Sequence, residues 1–437
     1  MAFLALIDRL NLALEMPATA IFFLTAIFLT VKLNFIQLRS FRRFIKLITK
    51  GVSADKNGQG RLETITPFQA LFTAMSTTIG VGNVVGPSLA ILAGGPGALF
   101  WLTCYIFFAS ATKYAEVVFA LETRTEDRDG YIVGGPTQYL KLVSPVIAAW
   151  YGIVTTFLFA SWSSVQSNTL AEILWQEGLP AWLTGAALAG LVMFVLLGGA
   201  KRVGSLASKL VPIMFVLYVL FSALILFHDL GALREAVKLI FTDIFSPAAA
   251  AGGFLGASIF QAIKAGTYQA AYISEAGVGT SSIPHAISDA KRPSDQGILA
   301  LYSMAADGLL CIISGLLVLV TGVWKSNCEM TTKLIYEVFK MHSPLVGKWI
   351  LLASVSMFVI TTVIGNGFNG AQSFGSFTRH RWSRFYFVFV SIVTFFGAIS
   401  PVPAVWKVMS LLLALVAIPN LLGLLILTLR RPHMLDN

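Results

Sequence analysis

The chain has 437 residues, of which 56% are hydrophobic and only 12% charged, with a net charge of +10 and a mean hydropathy of +0.78. That balance excludes a water-soluble globular protein, which needs a charged skin around its core. The basic excess does not point to nucleic acid, because Lys and Arg sit in short clusters between apolar runs rather than along one amphipathic face.

A hydrocarbon core about 30 Å thick is crossed by about 20 apolar residues in a helix. Cutting the sequence at charges, Pro and Gly gives spans at 17–38, 66–92, 96–121, 144–175, 181–199, 208–228, 249–275, 297–323, 346–374, 385–400 and 404–429. The fold class expected is therefore all-α integral membrane, with about eleven transmembrane helices. The first apolar run, Ala18 to Val31, lacks a basic leader and a cleavage site and reads as a retained span. Placing Arg39 to Arg61 inside gathers about 20 basic residues on one side and about 7 on the other. The N-terminus is then outside and the C-terminus cytoplasmic, in the inner (plasma) membrane. Two outside connections, Asp229 to Pro247 and Trp324 to Pro344, carry apolar residues at helical spacing and read as interfacial helices or part of an outer lid.

The second span, Thr66 to Pro87, contains Gly80, Gly82, Gly86 and Pro87. Gly costs about 1 kcal/mol and Pro about 3 kcal/mol in a helix interior, so an interruption is expected over this stretch. A discontinuous helix at membrane depth sets free N–H groups beside free carbonyls, one end suited to a carboxylate and the other to a cation. Ser76, Thr77, Thr78 and Asn83 add side-chain oxygens there. The alternative is that the small residues only let helices pack closely.

Further along, Gln166, Ser167 and Asn168 lie in the middle of the fourth span. The seventh span, 249–275, is again rich in Gly over Gly252 to Thr267, with a second interruption expected between Gly256 and Gly266. Lys264 within it calls for a partner, for which Glu116 or Asp307 stands at matching depth. Thr361, Thr362, Gly365 and Asn366 fall in the ninth span, where hydroxyls and carbonyls are the hard oxygen donors that Na⁺ prefers. Taken singly, each such polar residue fits interhelical hydrogen bonding equally well.

Cys104 and Cys311 lie in spans and Cys328 in a connection, so no disulfide framework is implied. The five histidines are scattered, no nucleophile elbow occurs, and Gly94-Gly95-Pro96-Gly97 is not followed by the Lys-Ser/Thr of a phosphate loop. An enzyme is not indicated, and no cofactor is called for. A channel would need a continuous polar lining, which the spans do not offer.

Thr66-Pro67-Phe68-Gln69-Ala70-Leu71, Gly80-Val81-Gly82-Asn83-Val84, Gly94-Gly95-Pro96-Gly97-Ala98-Leu99-Phe100-Trp101 and Ala111-Thr112-Lys113-Tyr114-Ala115-Glu116 together resemble the alanine or glycine:cation symporter family. The likeness continues through Gln166-Ser167-Asn168, Lys209-Leu210-Val211-Pro212, Ser274-Glu275-Ala276-Gly277-Val278-Gly279 and Ala417-Ile418-Pro419-Asn420-Leu421, over essentially the whole chain. The resemblance implies a LeuT-type fold of two inverted five-helix repeats after one extra N-terminal helix. Its divisions would be 1–62, 63–228, 229–429 and a tail at 430–437. It also implies Na⁺-coupled symport of a small neutral amino acid by a single copy in the lipid bilayer. By similarity, Thr78, Gly80, Val81, Gly82, Asn83, Gln166, Asn168, Phe260, Gln261 and Asn366 would surround the substrate. Ser76, Ile79, Phe358, Thr361 and Thr362 would hold sodium. The family's Gly-Trp in the ninth span is Gly365-Asn366 here, which opens volume and adds hydrogen-bonding capacity. A larger or more polar substrate such as serine, threonine or glutamine is the alternative that this departure raises, and proton coupling through Glu116, Lys264 or Asp307 is another.

Overall fold

The computed structural model describes residues 2–53, 64–127, 130–244, 259–325, 331–343, 346–378 and 382–435. The chain opens with α1 (Ala2–Lys32), followed by the short α2 (Ile36–Arg39) and α3 (Phe41–Lys50). α1 begins well before the expected start at Pro17, because its charged early turns have partners: Asp8 takes Lys407 Nζ at 2.8 Å and Glu15 takes Lys264 Nζ at 3.0 Å. Next come α4 (Pro67–Thr78), α5 (Val81–Gly94) and α6 (Ala98–Glu122). A two-residue strand pair, β1 (Thr125–Glu126) with β2 (Ile132–Val133), precedes α7 (Pro136–Tyr139) and α8 (Pro145–Trp175). α9 (Ala181–Leu196), α10 (Gly199–His228) and α11 (Leu230–Asp243) complete the first half.

The second half holds α12 (Ile259–Ser274), α13 (Ser282–Ala286), α14 (Pro293–Val320), α15 (Thr331–His342), α16 (Val346–Thr378), α17 (Ser383–Ile399) and α18 (Val402–Arg430). Seven of these helices are long and apolar enough to cross a membrane, and α4 with α5 makes an eighth as a pair bent by 41°. α9, α12 and α17 are shorter. Each of the eleven expected spans overlaps one of these helices or the bent pair. The connections after α10 and α14 form α11 and α15, the helices that their spacing indicated. The Asp243 carboxylate at the end of α11 accepts the Gly97 N–H at 2.9 Å, tying α11 to the turn between α5 and α6.

Packing follows a rule. α5 lies against α12, α6 against α14, α8 against α16 and α9 against α17, each pair five spans apart in the chain. α10 rests on α16 and α4, whereas α18 rests on α8, and α1 packs outside against α18 and α6.

The interruption in the second span is narrower than the spread of glycines suggested. A capping box of Thr66 and Gln69 with Pro67 in the first turn starts α4. α4 ends at Thr78, only Ile79 and Gly80 leave the helix, and α5 carries Gly82, Gly86 and Pro87 inside it. The glycines within α5 serve packing: a Cβ on Gly82 would lie 3.0 Å from the Tyr272 ring, and one on Gly86 2.8 Å from Ile273 Cδ1.

The second interruption lies elsewhere than expected. α12 runs unbroken through Lys264, Ala265 and Gly266, while the expected Gly252 to Gly256 stretch lies outside the described residues. Gly266 is a contact residue, since a Cβ there would sit 2.5 Å from Ala98 O and 2.7 Å from Leu102 N on α6. The helix gives way after Ser274, where Glu275 takes φ 58° and Gly277 and Gly279 take φ 90° and 86°. Those left-handed positions, favourable to glycine, lead into α13.

Candidate functional site

At the first break the backbone is rewired. Gly80 N–H donates to Asn83 Oδ1 at 3.0 Å, and Val81 N–H donates to Gln166 Oε1 at 3.2 Å. In a continuous helix those two N–H groups would bond the carbonyls of Ser76 and Thr77, four residues back. Both carbonyls are thereby released at the negative end of α4, while α5 presents the positive end of its dipole beside Gln166. Thr362 on α16 donates its hydroxyl to Ile79 O at 3.3 Å. α16 comes this close because residue 365 is glycine: a Cβ there would meet Ser76 Oγ at 2.6 Å and Thr77 Cγ2 at 2.7 Å.

Around this break the side chains enclose a cavity of about 10 Å³, room for about one water molecule. Thr77, Thr78, Gly80 and Gly82 form one wall, Trp162 and Gln166 on α8 a second, Thr362 and Asn366 on α16 a third. Tyr272, Ile273 and Glu275 close it from the second break. An amino acid occupies far more than one water's volume, so admitting one requires these walls to separate. Asn366 is fully buried, and neither its amide oxygen nor its nitrogen has a hydrogen-bond partner among the described residues.

The expected substrate residues divide. Thr78, Gly80, Gly82, Gln166 and Asn366 line the cavity, and Val81 and Asn83 shape the break beside it. Asn168 does not belong to this group, since its amide nitrogen donates to Gly397 O and Ser400 O, both at 2.8 Å, holding the end of α17. Phe260 and Gln261 are exposed at the opposite end of α12, about 20 Å from Ile273 along the helix at 1.5 Å per residue. Their expected place was carried over from the resemblance, and this structure sets them apart from the cavity. The residues that do face the cavity from this element, Tyr272, Ile273 and Glu275, stand directly around the Ser274-Glu275-Ala276-Gly277 motif, which was the available signal. Trp162 went unrecognised although it lies one turn from Gln166 on the same face of α8.

Of the expected sodium residues, Thr362 and Ile79 are brought into contact, and Ser76 lies beside Gly365 on the same face of α16. The Thr361 hydroxyl instead donates to Met357 O at 2.8 Å and Phe358 O at 3.0 Å, with Met214 Sδ at 3.4 Å. Lys264 pairs with Glu15, not with Glu116 or Asp307. That pair is partly exposed and joins α1 to α12, a structural link of modest strength.

The profile of the sodium:alanine symporter family matches residues 2–436. A relative from Methanococcus maripaludis, described as the sodium/alanine symporter AgcS, is 32% identical and covers 98% of this chain and 95% of its own. A Bacillus subtilis relative described as the probable sodium/glutamine symporter GlnT is 28% identical over 92% of this chain and 83% of its own. Among solved structures, MhsT in complex with L-phenylalanine superposes with a TM-score of 0.62 at 14% identity, covering 85% of this chain and 90% of that one. The fold is thus LeuT-type.

Proposed function

Because the chain belongs to the sodium:alanine symporter family, we propose that its Na⁺-coupled amino-acid symport is run from the break between α4 and α5. In this reading the substrate carboxylate meets the N-terminal end of α5 at Gly80 to Asn83. Na⁺ takes the Thr362 hydroxyl together with the Ile79 and Ser76 carbonyls, while Thr361 and Phe358, bonded to each other beside Met214, stand apart from it. The observation that carries it is the Thr362–Ile79 contact across two helices, beside carbonyls released by the rewired N–H groups of Gly80 and Val81. Alternating access follows when the two five-helix sets, 63–228 and 229–429, rock against each other around the breaks. Each chain holds a complete site, so a single copy suffices. The orientation that fits the basic loops has the N-terminus outside and the C-terminus cytoplasmic, in the plasma membrane.

Asn366 favours a second reading of the substrate. Its unpartnered amide faces the cavity, so a side chain with its own hydroxyl or amide, as in serine, threonine or glutamine, gains hydrogen bonds that alanine cannot make. The test is uptake into proteoliposomes of a panel of radiolabelled amino acids, with and without an inward Na⁺ gradient. Concentrative uptake of small neutral amino acids only under the gradient is expected. Uptake that ignores Na⁺ and follows a proton gradient would overturn the coupling, and alanine outcompeting every polar analogue would overturn the second reading.

A further inference from the structure

Behind the cavity, four buried ionisable side chains gather: Lys113 and Glu116 on α6, Asp307 on α14, and Glu275 at the second break. Two of the carboxylates are partly engaged. Glu116 Oε1 accepts the Gly277 N–H at 3.0 Å and the Asn420 amide at 2.9 Å, and Glu275 Oε2 accepts the Thr280 hydroxyl at 2.6 Å. The Lys113 ammonium donates to Ser274 O at 3.2 Å, the last residue of α12, and lies 3.9 Å from Asp307 Oδ2.

Asp307 is the unusual member. Beyond Lys113, neither of its oxygens has a partner at ordinary hydrogen-bond length among the described residues, and the buried Thr78 hydroxyl in the last turn of α4 is as loosely held. The Thr78 and Asn83 side chains face the Asp307 carboxylate from either side of the first break. The acids do not converge on one point as a multidentate metal site would. What is assembled is a carbonyl at the negative end of α12, a carboxylate and a hydroxyl, while the Asn83 oxygen is already taken by the Gly80 N–H. These are hard oxygen donors of the kind that suit a small monovalent cation, and the cation already there is an ammonium on a side chain.

We propose that Lys113 is a tethered cation occupying the place a second Na⁺ would otherwise take between Asp307, the Ser274 carbonyl and the Thr78 hydroxyl, limiting the transporter to one mobile coupling ion. The inference rests on the Na⁺-coupled reading above. An ammonium on α6 cannot leave with the substrate, so it carries no charge across the membrane. It nonetheless supplies the positive charge that the ends of both broken helices require, Thr78 closing α4 and Ser274 closing α12.

The experiment measures sodium-22 and amino-acid uptake in proteoliposomes for wild type, Lys113→Met, and Lys113→Met combined with Asp307→Asn. Wild type should show a Hill coefficient for Na⁺ of about one. Lys113→Met should raise it towards about two, with a matching rise in Na⁺ carried per amino acid, and the double variant should return it to about one. Lys113→Met that still transports with wild-type Na⁺ stoichiometry would overturn the proposal, as would a double variant that keeps the doubled value. If Lys113→Met does not transport, thermal stabilisation of purified Lys113→Gln by Na⁺ decides. Two saturating steps where wild type shows one support the tethered cation, and a single step overturns it. Wild-type uptake indifferent to Na⁺ would instead refute the coupling itself, so the two failures are distinct.

Discussion

Replacing Gly80 by alanine tests the geometry of the break with a single methyl group. The backbone at Gly80, φ −141° and ψ −163°, is extended and open to any residue, so the effect is one of space alone. The new Cβ would stand 2.7 Å from Thr362 Oγ1 and 2.9 Å from Gln166 Nε2, where ordinary contact begins at 3.4 Å. Thr362 must retreat by about 0.7 Å in a close-packed interior, enough to pull its hydroxyl off the Ile79 carbonyl, which it now reaches at 3.3 Å. Overpacking of this kind costs about 1–3 kcal/mol, equivalent to a loss of about 5- to 150-fold in binding. The readout is the Na⁺ concentration giving half-maximal uptake, compared with Gly190→Ala, where a Cβ meets nothing within 4 Å. The expected result is a large rise for Gly80→Ala and none for the control. Equal Na⁺ affinities for both variants would refute the placement of sodium at this break.

Thr362→Ala should weaken Na⁺ dependence much more than Gln166→Ala, because only the first removes a proposed sodium oxygen, whereas the second frees the Val81 N–H; Na⁺ titration of uptake separates them. Asn366→Leu should raise the melting temperature in detergent, since it removes two buried unpartnered polar atoms worth about 1–3 kcal/mol, while uptake of serine and threonine falls relative to alanine. A competition profile unchanged by that substitution would count against Asn366 as a specificity residue. His285, in the connection between α12 and α14, accepts a hydrogen bond from Gln296 Nε2 at 2.6 Å. Burial, with a smaller contribution from Lys113, pushes its pKa down to about 3. The unfolded chain takes up this proton below about 6.5 and the folded one does not, so stability is lost as pH falls from there towards 3, by at most about 1.4 kcal/mol per pH unit. A melting curve in detergent at descending pH should show this slope, and His285→Gln should flatten it.

Hydropathy was sufficient to read an all-helical, multi-pass membrane chain because lipid admits only helices with internally satisfied backbones, and length and apolarity are properties of the sequence itself. The first break was legible for a similar reason, although the sequence spread it over eight residues and the structure confines it to Ile79 and Gly80. Glycine is ambiguous in one dimension. Gly266 looks like a helix breaker but is a contact surface for α6, while Gly277 and Gly279 carry the real turn. Only the packing of α12 against α6 distinguishes them. Charge partners were equally hidden: Lys264 meets Glu15, which is 249 positions away in the chain, and Lys113 meets Asp307. The sequence by itself determined that the chain crosses a bilayer as helices and that one of them fails near Gly80. Which residues face one another across the break was decided by tertiary structure alone, because helices five spans apart pack side by side and bring together residues that no local period relates.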